Sequence, residues 1–342
     1  MSSITSSTPN TYTTSGATVD HSLTGIFGHM LGTKGPSSYG SSSTAMDVVT
    51  TSSWDGTNKV IIITGANTGI GKASAAALAS RGAHVIIACR NVGKGELAKT
   101  EIIEQYPGSQ IDVKELDLAS LSSVRKFSDW FLGSGLPLHV LILNAGVMFC
   151  PFTLSEDDHE LQFATNHLGH FFLTKLLLNT MIESSKPENP GRIVCVSSNS
   201  HFLPYSRPIG PIQFDTLDSY ATYNRFDAYG QSKLCNILFC RELHRRYSSS
   251  NIIATCLHPG SIYTELQRHI PFSSIFMTLG SLLLFKSVEQ GAATSVYCAV
   301  AQGVAGGEYY VDCNIFPSSR YSHDAEMGNR LWELSEDMIR SK

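Results

Sequence analysis

The stretch KVIIITGANTGIGKASAAALASRG, Lys59 to Gly82, decides the fold. KVIIIT is a short, β-branched apolar run of the kind that makes a buried strand. GANTGIG follows it directly. KASAAALASRG then reads as a helix, rich in alanine and closed by Gly82. Gly65, Gly69 and Gly71 are spaced GxxxGxG. Glycines in a strand–turn–helix setting permit a tight turn and a close backbone approach. Amide N–H groups and the helix N-terminus can then meet a pyrophosphate. The turn is therefore read as a dinucleotide cradle formed by Gly65, Asn67, Thr68, Gly69, Ile70 and Gly71.

The same alternation continues outward. HVIIAC, QIDVKEL, HVLILN, RIVCVSS, NIIATCLHPG and GEYYVD read as six further strands. Helical segments are expected in LSSVRKFSDWFL, from about Asp157 to Ile182, around Tyr229 to about Tyr247, and in AEMGNRLWELSEDMIR. Strands apolar on both faces, alternating with helices, imply an α/β fold with a doubly wound parallel sheet. One such domain is expected over residues 57–342. Residues 1–53 differ. Nearly half are serine or threonine, and no arginine precedes Arg81. This composition predicts a disordered tail, ordered at most towards its end. The missing arginines argue against a mitochondrial presequence, and the polar residues 2–20 against a secretory signal.

Net charge is −4, which gives no electrostatic footprint for nucleic acid. The eight cysteines form no CxxC and no zinc spacing, so no metal is expected. They read as buried thiols in a reducing compartment. A cytoplasmic location follows, with membrane association or a mitochondrial site as alternatives. SSIFMTLGSLLLF, Ser273 to Phe285, is too short to span a bilayer. It reads as a lid over a substrate pocket or a partly exposed helix, with weak membrane contact as a further option.

Arg90 in ACRN follows the second strand, where an acidic residue would bind ribose hydroxyls and an arginine would accept a 2′-phosphate. This favours NADP(H) over NAD(H); the competing reading is a surface arginine. Lys72 is either an added phosphate contact or a solvated helix lysine. Asp117, with Leu118 beside it, either takes a hydrogen bond from adenine or caps the next helix, for which Ser120 is better placed. NAGV, with Asn144, Ala145 and Gly146, ends the fourth strand in a turn of small residues that lets backbone approach a nicotinamide ribose. In AYGQSK, Tyr229 and Lys233 are four apart and share a helix face. An ammonium there would lower a phenol pKa from its usual ~10. His167 and His170 read as a helix-packing pair, and His258 as structural.

TGANTGIG, LNAG, ATNHLGHFFLT, RIVCVSS, YGQSK and HPG occur in an order that resembles the short-chain dehydrogenases/reductases. The resemblance covers about residues 57–342. It implies a Rossmann-like sheet of seven parallel strands, order 3-2-1-4-5-6-7, and hydride transfer between NAD(P)(H) and an alcohol/carbonyl pair. By the same resemblance Tyr229 is the acid/base. Lys233 tunes it and binds the ribose, Ser198 hydrogen-bonds the substrate oxygen, and Asn166 holds a relay water. Pro259, Gly260 and Thr264 lie beside the nicotinamide. Ser197 competes with Ser198, since strand alternation turns neighbours to opposite faces. Ser198 and Tyr229 are 31 positions apart, wider than in many members. The intervening NSHFLPYSRPIGPIQFDTLDSYATYNRFD resembles that of retinol-dehydrogenase-like members and is expected to wall an apolar substrate site. YGSSSTAMDVV, GAHVIIACRN and SKLCNILFCRELHRR resemble most closely the oxidoreductase part of the WW-domain-containing branch of the family. The WW modules are absent here, so no binding of proline motifs is expected. The expected partner is a small hydrophobic alcohol or carbonyl, retinoid- or steroid-like, with a homodimer as a further option. The alternative function is a cofactor-binding adaptor with little turnover.

Overall fold

The computed structural model describes residues 34–203, 210–262 and 286–340. Seven parallel strands form the sheet: β1 (Val60–Thr64), β2 (His84–Cys89), β3 (Gln110–Glu115), β4 (Val140–Leu143), β5 (Gly191–Val196), β6 (Ile252–His258) and β7 (Tyr309–Val311). Their order is β3-β2-β1-β4-β5-β6-β7, as the sequence implied. Both halves of the sheet wind outward from β1 and β4, which pair Ile61 with Val140 and Ile63 with Ile142. The crevice where strand order reverses therefore opens at the carboxyl ends of β1 and β4.

An eighth strand, β8 (Asn314–Ile315), was not expected; it pairs antiparallel with β7. Asp312 and Cys313 connect the two with φ of 54° and 64°. Positive φ at both central residues gives the twist that a two-residue hairpin needs. An Asp-Cys pair lacks the glycine that announces such a turn.

Alternation along β1 splits the core. Ile62 faces one layer, with Phe127, Phe171 and Phe239, carried by α4 (Leu121–Gly133), α5 (Gly169–Ser184) and α6 (Arg225–Tyr247). Ile61 and Ile63 face the other, with Leu78, Ala98 and Val296, carried by α2 (Gly69–Ala79), α3 (Val92–Gln105) and α7 (Val288–Val300). α8 (Ala325–Ile339) closes the first layer through Leu331 and Trp332. All eight cysteines are buried and unpaired with one another.

Residues 34–53, the end of the stretch read as a tail, fold onto the domain. Here α1 (Ala45–Thr51) opens with a capping box, in which Thr44 accepts from the Asp47 N–H and Asp47 accepts from the Thr44 N–H. Its Val48 and Val49 are wholly buried. Average composition hid three apolar residues on one short helical face. The helix expected from Asp157 starts later: a turn at Leu161–Phe163 runs into a π turn at Ala164–Leu168, and α5 follows. Thr264 and the Ser273–Phe285 stretch lie outside the described residues.

Candidate active site

A cleft of about 370 Å³ sits over the carboxyl ends of β1, β2 and β4. Gly65, Asn67, Thr68, Gly69, Ile70, Gly71, Arg90, Asp117, Leu118, Asn144, Ala145 and Gly146 all line it. Gly65 and Gly69 have φ of 67° and 54°, a conformation that favours glycine. A Cβ on Gly71 would lie 2.6 Å from Asn144 Nδ2 and 2.8 Å from the Gly65 carbonyl oxygen. Only backbone fits there. Thr68, the residue before α2, leaves the helix N-terminus without a side-chain cap. The donors of that first turn thus remain for an anion in the cleft. A dinucleotide pyrophosphate fits this cradle.

Arg90 sits at the cleft edge, exposed, with a guanidinium nitrogen 3.9 Å from Asp117. Asp117 also accepts from the Ala119 N–H, while Ser120 caps α4. Lys72 does not line the cleft; it pairs with Glu101. Sequence reading missed Lys94, which does line it. Its signal was its place in the first turn of the helix that follows Arg90.

The NAG turn is held from two sides. Thr64 Oγ1 accepts from the N–H groups of Asn144 and Ala145, at 2.9 and 3.0 Å. The same hydroxyl meets His170 Nε2 at 2.9 Å, and His170 Nδ1 donates to the Asn166 carbonyl at 3.0 Å. The ring is wholly enclosed, and burial lowers its pKa to about 4, so it stays neutral. His170 thus does more than pack. His167 behaves differently, reaching Ser335 on α8 among the rings of Phe163 and Phe239.

Asn166 was expected to hold a water. Its side-chain amide is held by protein groups. Oδ1 accepts from the Val147 N–H at 2.8 Å, and Nδ2 donates to the Val147 carbonyl and to Ser232 Oγ. The residue staples the NAG turn to the π turn and to α6.

Tyr229 and Lys233 do share a face of α6, both buried. The Lys233 amine lies 5.5 Å from the centre of the Tyr229 ring and donates to the Val196 carbonyl at 3.1 Å. It also stands 3.7 Å from where a Cβ on Gly146 would be, which places it at the cleft wall. Burial pushes the Tyr229 phenol up to about 12, opposed by a hydrogen bond with the Ser198 hydroxyl. Burial likewise lowers Lys233 to about 8. For the phenol, burial sets the direction and the Ser198 hydrogen bond opposes it. Ser197 and Ser198 point apart. Ser197 donates to the Lys233 carbonyl inside the core, whereas the Ser198 hydroxyl accepts from the Ser200 N–H at 3.1 Å, donates to the Ser200 hydroxyl at 3.2 Å, and has the Tyr229 phenol as a further neighbour. Phe149, with φ of 54°, sets its ring edge-on to Tyr229 at 5.1 Å, its N–H held by Gln162. Pro259 and Gly260 (φ 100°) form the turn after β6.

Comparison with known proteins agrees with this architecture. Residues 59–208 match the family model described as short chain dehydrogenase. Short-chain dehydrogenase TIC 32 B, chloroplastic, of Brassica napus is 44% identical over 321 residues, covering 92% of this chain and 99% of that one. Retinol dehydrogenase 11 of Homo sapiens is 43% identical over 82% of this chain and 86% of its own. WW domain-containing oxidoreductase of Homo sapiens is 38% identical over 89% and 73%. Sequence, sheet order and cleft together make this chain a member of the short-chain dehydrogenase/reductase family, an NAD(P)-dependent oxidoreductase.

Proposed function

We propose that the protein interconverts a hydrophobic alcohol and its carbonyl, retinoid- or steroid-like, with NADP(H) preferred over NAD(H). The observation that carries this reading is the meeting of the Ser198 hydroxyl and the Tyr229 phenol, with the Lys233 amine beside the cleft wall. A bound nicotinamide dinucleotide supplies or takes the hydride. The chain's own residues manage the oxygen. In reduction the Tyr229 hydroxyl gives its proton to the carbonyl oxygen; in oxidation the phenolate takes the alcohol proton. Ser198 donates a hydrogen bond to the same oxygen and fixes its position. Lys233 supplies positive charge behind the phenol, which favours the phenolate as water is excluded. The glycine turn and the open first turn of α2 hold the pyrophosphate. Arg90, with Lys94 near it, meets a 2′-phosphate.

The apolar substrate class rests on the rings beside Tyr229: Phe149, and Phe226 against it at 4.7 Å. It also rests on the similarity to retinol dehydrogenase 11.

The test is reduction of all-trans-retinal and a steroid ketone with NADPH and with NADH. Tyr229→Phe is expected to lower turnover by roughly 10²- to 10⁴-fold while NADPH still binds. Turnover that survives this change removes the acid/base role. An intact protein that binds NADPH but reduces no carbonyl in a broad panel would be an adaptor instead.

A further inference from the structure

His201 lies three residues beyond Ser198, in the short 3-10 turn Asn199–Phe202, and is 1% exposed. Both ring nitrogens are used. Nδ1 lies 2.7 Å from the Ser198 carbonyl oxygen, an acceptor only, so Nδ1 carries the proton. Nε2 lies 3.1 Å from the Ser319 backbone nitrogen, a donor only, so Nε2 offers its lone pair. The two partners fix one neutral tautomer. Burial supports it, with the pKa lowered to about 4. The charged or titratable groups that face the ring are Arg241, held against Ser322, and His258, itself kept neutral by burial. Tyr309 closes the ring's other side, centroids 4.9 Å apart, and its hydroxyl donates to Asn199 Oδ1 at 3.0 Å.

We propose that His201 is a positioning residue: it fixes the Ser198 backbone from below, against the C-terminal segment, so that the Ser198 hydroxyl stays aimed at the Tyr229 phenol. The proposal rests on the reading of Ser198 and Tyr229 given above. Within the turn, the Ser200 N–H and hydroxyl hold the Ser198 hydroxyl locally. The Ser198 carbonyl also accepts the His201 N–H at 3.1 Å, but that bond lies within the turn and moves with it. The Tyr309 hydroxyl ties the turn to β7 through the Asn199 side chain, and the His201 ring ties the Ser198 backbone itself to the C-terminal segment. A hydroxyl displaced by about 1 Å is enough to cost on the order of 100-fold in rate.

The test uses the full chain with NADPH and all-trans-retinal. His201→Leu is expected to lower kcat about 10- to 100-fold, with the retinal KM and the NADPH affinity within about twofold of the parent. His201→Asn, whose amide N–H can still reach the Ser198 carbonyl, is expected to recover much of the loss. Ser319→Pro is a gentler change should His201→Leu not fold. Ser319 has φ of −58°, which proline adopts, so only the N–H aimed at Nε2 is removed. It is expected to lower kcat by less than His201→Leu. For retinol oxidation, the rising limb of the kcat–pH profile should move to higher pH in both, because the Ser198 bond is what opposes the upward push on Tyr229.

An unchanged kcat in His201→Leu and Ser319→Pro overturns the proposal. So does a loss in which NADPH affinity falls as far as kcat and asparagine does no better than leucine. Ser198→Ala is run beside them. If Ser198→Ala keeps full activity, the reading of the site itself fails; if it loses activity while the His201 and Ser319 variants keep theirs, only the positioning role fails.

Discussion

Lys233 is the residue where stability and chemistry conflict. The folded protein lowers its pKa from 10.5 to about 8 by burying it, and its hydrogen bond goes to one carbonyl. At neutral pH it is protonated folded and unfolded alike, so the burial cost is present in full, on the order of 3 kcal/mol. Between pH 8 and 10.5 the unfolded chain binds the proton and the folded one releases it. This cost therefore fades as pH rises through that window. Lys233→Met should unfold at higher denaturant than the parent at pH 7, and the gap should close by about pH 10.5. The Val196 carbonyl keeps Asn236 as a donor, so no acceptor is orphaned. Turnover should be lost. A variant that is less stable than the parent at pH 7 would show that the amine is better accommodated than its burial suggests. Arg90 gives the complementary case of a residue that is exposed and costs the fold little. Arg90→Glu should weaken NADPH by about 10- to 100-fold through loss of a charge-assisted contact, and NADH much less. Equal losses in a fluorescence titration with each cofactor would remove the 2′-phosphate contact. Tyr229, Lys233 and Arg90 were all legible as single residues in the sequence. The push of Tyr229 to about 12 was not, because burial is a property of neighbours that sequence spacing does not contain.

At the scale of elements, the glycine turn and the NAG turn work as one piece. The turns lie on β1 and β4, which pair directly. Gly71 sits at their contact, and an added methyl would meet Asn144 Nδ2 at 2.6 Å and the Gly65 carbonyl at 2.8 Å. The second of these is backbone and has nowhere to go. Gly71→Ala should cost about 1–3 kcal/mol of strain. The simplest relief is to open the cradle, so NADPH affinity should drop by about tenfold or more in a titration. Retained affinity would mean that the two turns move apart without cost. The strands and both turns were legible because β-branched runs and glycine spacing are local signals. The π turn at Ala164–Leu168 was not. It shifts the helix by one residue without changing which residues are apolar, so no pattern in ATNHLGHFF reports it. That shift goes with the two roles of Asn166, whose side chain staples Val147 while its carbonyl accepts a hydrogen bond from His170 Nδ1. Thr64 and His170 escaped for a related reason: their contact joins residues 106 positions apart.

Across the whole molecule, the segment 34–53 is the part whose weight the sequence understated. α1 lies on α7 and α2. Ahead of it, Tyr39 stacks edge-on against Tyr297, and its carbonyl accepts from Asn314 on β8, which in turn accepts from the Ser37 N–H. The segment therefore ties α7 to the last hairpin of the sheet, on the side away from Tyr229. Two fully buried valines contribute about 3–6 kcal/mol gross. Ordering the seven residues of α1 opposes that gain, so the Tyr39–Tyr297 contact and the Asn314 hydrogen bonds are needed beside it. A chain beginning at Trp54 should melt below one beginning at Lys34. It should also aggregate more readily, since Val296 and Leu78 lose cover. Its Km for retinal and its NADPH affinity should stay close to those of the longer chain, because none of the lost residues lines the cleft. Calorimetry of the two chains side by side decides it. Equal melting temperatures would mean that α1 rests on the domain without holding it together, while a loss of NADPH binding in the shorter chain would mean that α2, which α1 covers, needs that cover to keep its N-terminus in place.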